Sequence, residues 1–306
     1  VPGPIELVVE STNRCNQRCV ICPRSDDRAV GTDLAPGAFA ALLDQVRGQT
    51  SFVDLSLGGE PLLHPSICDL ISLAKDREMA VYLQTNATVL TETLGRDLIA
   101  AGLDLITLSL DAATPQTYAR LRPPGPGLGE VEERAEAFLG LARGRSTPFT
   151  MIQMVCVPEN RGEKQAFADR WSKLADAVRF KKFDDRAGLV QLPGNETERG
   201  DRPLSAACPR LWRGMTVLAD GTAVPCCFDP GGRHPLGDAP GEGLTALWNG
   251  SQMTAMRAAH AVGERSRIPL CRECGFPTSR LKETLAFTLL EPVTSRKLAA
   301  RIRGSR

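Results

Sequence analysis

Two hydrophobic patterns take turns along the first two thirds of the chain. Short apolar or β-branched runs bounded by Gly, Pro, Asn or Asp stand at Glu6 to Glu10, Phe52 to Leu57, Ala80 to Gln84, Leu105 to Leu110, Phe149 to Val157 and Val178 to Phe183. Their length and punctuation predict strands. Between them, Pro36 to Arg47, Ser66 to Asp76, Thr91 to Ala101, Gly129 to Arg143 and Gly162 to Leu174 carry apolar residues at helical spacing. Strands alternating with helices in this rhythm build βαβ units on a parallel sheet. Six strands are too few for a closed eight-stranded barrel, so the expectation is an α/β fold with a partial (β/α)6 barrel. Function in such a sheet belongs at the carboxyl ends of the strands, where the loops meet ligands.

The pattern changes at 188–207, which is rich in Gly, Pro and charge and reads as a linker. Beyond it, Gly214 to Leu218 and Thr222 to Pro225 flank a turn-forming Asp220-Gly221 pair, a hairpin signature. Leu244 to Ala261 follows with helical spacing, and the tail from Ser295 is basic. The organisation expected is a barrel over 1–187, the linker, a small cysteine-bearing domain over 208–280 and a C-terminal helix or tail over 281–306.

Composition narrows the partners. Lys and Arg number 37 against 36 Asp and Glu in 306 residues, so no whole-molecule field recruits nucleic acid or an anionic membrane. No apolar run approaches the roughly 18 residues that a membrane helix needs. The first 30 residues lack the basic start, apolar middle and small-residue cleavage site of a secretory signal, so a cytoplasmic location is expected. Ten cysteines, clustered rather than scattered, then point to metal or redox chemistry rather than a disulfide framework.

Cys15, Cys19 and Cys22 form C-x3-C-x2-C directly after the first strand. Three thiolates on one tight loop can hold three corners of a cubane iron-sulfur cluster and leave the fourth free for chemistry, whereas a closed structural zinc site needs a fourth ligand nearby. Gly58-Gly59-Glu60-Pro61 follows the second strand, Asn86 the third, and Ser109-Leu110-Asp111 ends the fourth. Together these segments resemble the radical S-adenosylmethionine (SAM) enzymes. The resemblance implies that the free iron chelates SAM, whose cleavage yields a 5′-deoxyadenosyl radical that abstracts hydrogen from substrate. It also implies that Gly58, Gly59 and Glu60 serve the methionine amino group, and that Asn86, Ser109 and Asp111 contact SAM. An electron donor such as flavodoxin or ferredoxin is implied as partner. Ile21 stands where the family often has an aromatic, so adenine packing there would be aliphatic.

Cys208, Cys226, Cys271 and Cys274, 18, 45 and 3 residues apart, resemble the family's auxiliary-cluster extension. The longer form, SPASM, continues with further cysteines and binds two clusters. No cysteine follows Cys274, so the resemblance is to the shortened twitch form with one 4Fe-4S cluster, two clusters in all. Taken alone, the four would equally suit structural zinc. These spacings are similar to those of aminoglycoside and aminocyclitol epimerases and of 2-deoxy-scyllo-inosamine dehydrogenase. That implies a small-molecule carbohydrate substrate losing a carbinol hydrogen.

Three cysteines remain. Cys68 reads as a small core hydrophobe. Cys227, beside a cluster ligand, is open between a donor toward cluster sulfur and a plain hairpin residue. Cys156 ends the fifth strand, where Met154 shares its face and Gln153 and Val155 share the other. A luminal Cys156 would return hydrogen to the far face of a substrate radical, and epimerisation is the outcome expected from it. Dehydrogenation to a ketone and decarboxylation of a uronic-acid-type sugar are the alternatives, and a core cysteine against a helix is the bland account of the same residue.

Overall fold

The computed structural model describes residues 3–23, 31–192, 194, 207–272 and 274. Six strands run parallel in sequential order, the first five each followed by helix: β1 (Glu6–Val9), α1 (Pro36–Asp44), β2 (Phe52–Asp54), α2 (Ile67–Lys75), β3 (Ala80–Thr85), α3 (Glu92–Ala100), β4 (Leu105–Ser109), α4 (Pro115–Leu121), α5 (Leu128–Ala142), β5 (Phe149–Cys156), α6 (Lys164–Trp171) and β6 (Ala177–Lys182). The partial barrel is therefore as expected. α4 has no counterpart in the hydrophobic pattern. It is set by capping chemistry: the Thr114 hydroxyl accepts the Thr117 N–H, Pro115 fills the first turn, and Glu163 accepts the Ala113 N–H at 2.6 Å and the Thr114 hydroxyl at 2.8 Å.

Alternation along each strand makes two unlike faces. Leu7, Val9, Val53, Leu55, Val81, Leu83, Ile106, Leu108, Ile152 and Met154 are buried in one core with Phe39, Leu70, Phe138, Phe167 and Trp171 from the helices. The opposite face, which lines the lumen, carries Glu6, Val8, Asp54, Tyr82, Thr107, Ser109, Gln153, Arg179 and Lys181 at the alternate register positions. A parallel sheet with apolar outer and polar inner faces buries its core behind the strands and keeps the lumen for a polar ligand.

The C-terminal part comprises α7 (Arg210–Arg213), β7 (Gly214–Val217), β8 (Thr222–Val224), β9 (Gly237–Asp238), α8 (Ala239–Glu242), α9 (Leu244–Asn249), α10 (Ser251–Ala261) and α11 (Pro269–Arg272). The expected hairpin is present, but it extends the barrel sheet: β7 pairs in parallel with β1, giving the strand order β6-β5-β4-β3-β2-β1-β7-β8-β9. The single helix expected over Leu244 to Ala261 is two, because Gly250 adopts extended backbone (ψ 165°) and caps the second. Most of the linker, 195–206, and the whole C-terminal tail, 281–306, lie outside the described residues. Among the described residues no helix is long and apolar enough to cross a membrane.

Candidate functional site

The loop bearing Cys15, Cys19 and Cys22 leaves β1 at the mouth of the barrel and is tied down by the loops after the next three strands. Arg14 offers its carbonyl to the Glu60 N–H at 2.7 Å, Asn16 accepts from the Asn86 amide at 3.0 Å and donates to Thr88 at 2.7 Å, and the Gln17 amide donates to the Tyr118 hydroxyl and the Arg122 carbonyl. The Val20 N–H donates to the Leu121 carbonyl. Burial pushes the Cys19 thiol up to about 11, with Arg122 opposing. Such a thiol is a poor free nucleophile, but a metal ion displaces its proton readily. Three cysteines on one clamped loop, with no fourth cysteine on it, suit an open cubane site.

The residues expected around SAM divide into two groups. Gly59 and Glu60 support the cluster loop: a Cβ on Gly59 would lie 2.1 Å from the Thr12 carbonyl oxygen and 2.7 Å from that of Arg14. A Cβ on Gly58 would meet the Glu10 carboxylate at 2.5 Å. The Glu60 carboxylate, buried, accepts the Leu62 N–H, the Thr85 hydroxyl and the Asn86 N–H. Burial raises its pKa against those hydrogen bonds. Asp111, fully buried with φ 61°, accepts the Val155 N–H and pairs with Arg122, whose Nε lies 3.0 Å away. The Asp111 side chain is thus engaged in holding Arg122 against Gln17 of the cluster loop. That positioning role stands beside the SAM contact expected of Asp111.

Ser109 is placed otherwise. It faces Gln153 across the β4–β5 register, and Ser109 Oγ and Gln153 Oε1 are buried without a hydrogen-bond partner among the described residues. Two unsatisfied polar atoms side by side at strand ends are costly unless a ligand meets them. They suit the polar groups of SAM at the mouth of the lumen, whereas the Asn86 side chain is taken up by Asn16 and Thr88. Gln153 was not among the expected site residues; only its pairing with Ser109 draws attention to it.

Cys156 does not face the lumen. It shares the face of Ile152 and Met154, pairs with Lys182 in register, and its thiol lies against Lys164 at the start of α6. Burial raises its pKa, opposed by Lys164. The expectation of a luminal hydrogen donor at this position is corrected by strand alternation. The spare cysteine near the lumen is Cys227. Arg210 Nη1–H points to its sulfur at 3.3 Å, and Lys181 and Arg186 act on it electrostatically, as it does on the luminal Glu6 and Asp54. Lys181, with no ion pair among the described residues, has its pKa lowered to about 8 by burial and then by Arg186.

Cys208 just before α7, Cys226 just after β8, Cys271 in α11 and Cys274 just after it converge on one cavity walled by Leu211, Phe228, Met256, Leu270, His260, Arg210 and Arg265. Burial holds the Cys208 thiol above its ordinary range and the Cys271 thiol up to about 12. Four thiols around one largely apolar cavity suit the donor set of an enclosed iron-sulfur cluster. Cys68 packs against the helix-side core, as expected.

A polar-lumened partial barrel with three thiols at its mouth and a four-thiol cavity alongside defines the iron-sulfur enzymes that cleave SAM. The chain belongs to the Radical SAM superfamily, whose family model matches residues 9–170, more than half of it; an iron-sulfur cluster-binding domain of the SPASM type matches 208–275. Its cofactors are SAM and 4Fe-4S clusters. A tungsten-containing aldehyde ferredoxin oxidoreductase cofactor-modifying protein of Pyrococcus furiosus is 32% identical over 107 residues, 34% of this chain and 30% of its own. The chain spans from 30% to 64% of the length of such curated relatives. BtrN and SuiB are among the solved structures that share the fold. BtrN in complex with AdoMet and 2-DOIA has a TM-score of 0.60 and 16% identity over 89% of this chain and 92% of its own. Streptococcus suis SuiB bound to precursor peptide SuiA has 0.64 and 15% over 83% and 66%.

Proposed function

We propose that this radical SAM enzyme oxidises a carbinol of a polar small molecule, a sugar or aminocyclitol, to a ketone. The observation that carries the reading is a shared wall. Arg210 lines the four-thiol cavity and also reaches Cys227 and Glu6 on the luminal side, whereas Cys156 lies behind the sheet. Cys15, Cys19 and Cys22 would hold the SAM-binding cluster, and Cys208, Cys226, Cys271 and Cys274 the auxiliary one. When bound, the first supplies with SAM a hydrogen-abstracting radical, and the second a one-electron acceptor.

The chain's own residues do the rest. Ser109 and Gln153 orient the cofactor's polar groups, and Tyr82, Thr107 and Asp54 give the lumen a hydroxyl-binding floor. Tyr82 Oη lies 3.1 Å from Thr107 Oγ1. Lys181 Nζ, neutral in a sizeable fraction at weakly basic pH, accepts the carbinol proton.

A second reading rests on Cys227: an epimerase would use this luminal thiol, not Cys156, to return hydrogen to the substrate. Product analysis in deuterated water, with candidate aminocyclitols, a reducing flavodoxin or ferredoxin and quantified 5′-deoxyadenosine, separates the two. Ketone formed in step with 5′-deoxyadenosine supports oxidation. One solvent deuterium at an inverted carbon, lost in Cys227→Ala, supports epimerisation in its place. Turnover of a peptide with no aminocyclitol turnover would replace the substrate class.

A further inference from the structure

His260 and Arg265 reach the four-thiol cavity from α10 and from the turn Arg265–Arg267. Both are buried, at 1% and 6% exposure, in a wall otherwise apolar apart from the thiols and Arg210. The Cys208 N–H donates to His260 Nδ1 at 3.1 Å. A nitrogen that accepts carries no proton, so the ring is the neutral tautomer with its hydrogen on Nε2. His260 Nε2 has no partner among the described residues, nor has Arg265 Nε, although Arg265 Nη2 donates to the Cys274 carbonyl at 3.3 Å. Two buried N–H donors from separate elements, each tied by another atom to a cysteine backbone, are left facing the same cavity. Such donors are costly to leave unmade.

We propose that His260 Nε2–H and Arg265 Nε–H donate hydrogen bonds to sulfur of the auxiliary cluster and raise its reduction potential. The inference rests on the assignment of Cys208, Cys226, Cys271 and Cys274 as ligands, and not on the outcome of the substrate reaction. A reduced cluster carries more negative charge on its sulfurs, so a fixed N–H donor stabilises it more than the oxidised form. These two residues hold no iron; they tune and position.

The test uses the full chain with Cys15, Cys19 and Cys22 replaced by Ala, so that the auxiliary cluster is measured alone. Iron near four per chain supports the ligand assignment, and iron near zero removes that assignment rather than the tuning role. In loaded protein, His260→Asn puts an amide acceptor at the Nδ1 position for the Cys208 N–H and no donor at the Nε2 position, while His260→Gln puts an amide donor at the Nε2 position and no acceptor at the Nδ1 position. Redox titration followed by EPR should show His260→Asn shifted downward by about tenfold in the reduction equilibrium, about 59 mV for one electron. His260→Gln should stay near the parent potential. A parent-like potential in fully loaded His260→Asn overturns the proposal for His260. Should variants fail to load, the parent protein grown with ¹⁵N-histidine decides: a nitrogen hyperfine coupling to the reduced cluster is expected, and its absence overturns the proposal.

Discussion

Asp111 shows how one residue's backbone and side chain together brace the cluster loop. Its left-handed backbone (φ 61°) turns the chain at the end of β4, and its carboxylate fastens Arg122, which in turn holds Gln17. Removing one partner of a buried ion pair costs about 3–5 kcal/mol, because the other charge stays buried alone. Arg122→Met should therefore lower the denaturation midpoint and release iron from the first cluster, with auxiliary iron retained. Cys156→Ala should change stability by about 1 kcal/mol at most and leave the product unchanged, read by thermal melts and product analysis. Lys181 adds a pH signature. Its folded pKa of about 8 lies below the roughly 10.4 of an unfolded lysine, so the folded state binds fewer protons between those values. Its contribution to stability rises with pH through that window. The rate should rise through about pH 8 as the amine deprotonates, and Lys181→Met should lose that limb of the pH–rate profile.

At the scale of elements, the cluster loop depends on close approach between two backbones. Gly59 packs where any side chain would strike the carbonyl oxygens of Thr12 and Arg14, and neither backbone atom can rotate away. Gly59→Ala should displace the loop and lose about half the iron of the two-cluster protein, the auxiliary share remaining, by iron assay and EPR. The strands and most helices were legible from periodicity because that signal is local. α4 was missed because a seven-residue helix has little periodicity, although its Thr114-Pro115 start was readable as a cap. The break at Gly250 was missed for the opposite reason: apolar spacing runs on through both α9 and α10, and only the extended backbone of one glycine divides them.

Over the whole molecule, β7 on β1 makes the auxiliary region part of the barrel sheet rather than a loosely tethered appendage. The Ala219 N–H donates to Glu10, and the Leu244 N–H to Gln45 at 2.7 Å, so contacts between residues some 200 positions apart close the same joint. Cys271→Ala should therefore do more than empty one cavity: iron should fall by about half, and the unfolding transition should move down as one step rather than split in two.

Cysteine spacing, the glycine pair after β2 and the polar strand ends identified the superfamily and both cofactors from sequence alone, because ligand spacing on a short loop is a local property of the chain. The four-thiol set was legible in the same way, although nothing in its spacing disclosed the wall shared with the lumen. Which cysteine lies near the lumen was a tertiary matter. Alternation told that Cys156 sides with Met154, yet only the packing of α6 against that face decided that it is the outer one. Cys227 came over the lumen only because β7 pairs with β1, a contact that no local pattern encodes. Gln153 and Lys181 likewise look like ordinary strand residues until the parallel register sets one beside Ser109 and turns the other toward Cys227. Local chemistry chose the cofactors, and long-range register, which depends on the simultaneous burial of every strand's apolar face, chose the groups that line the lumen.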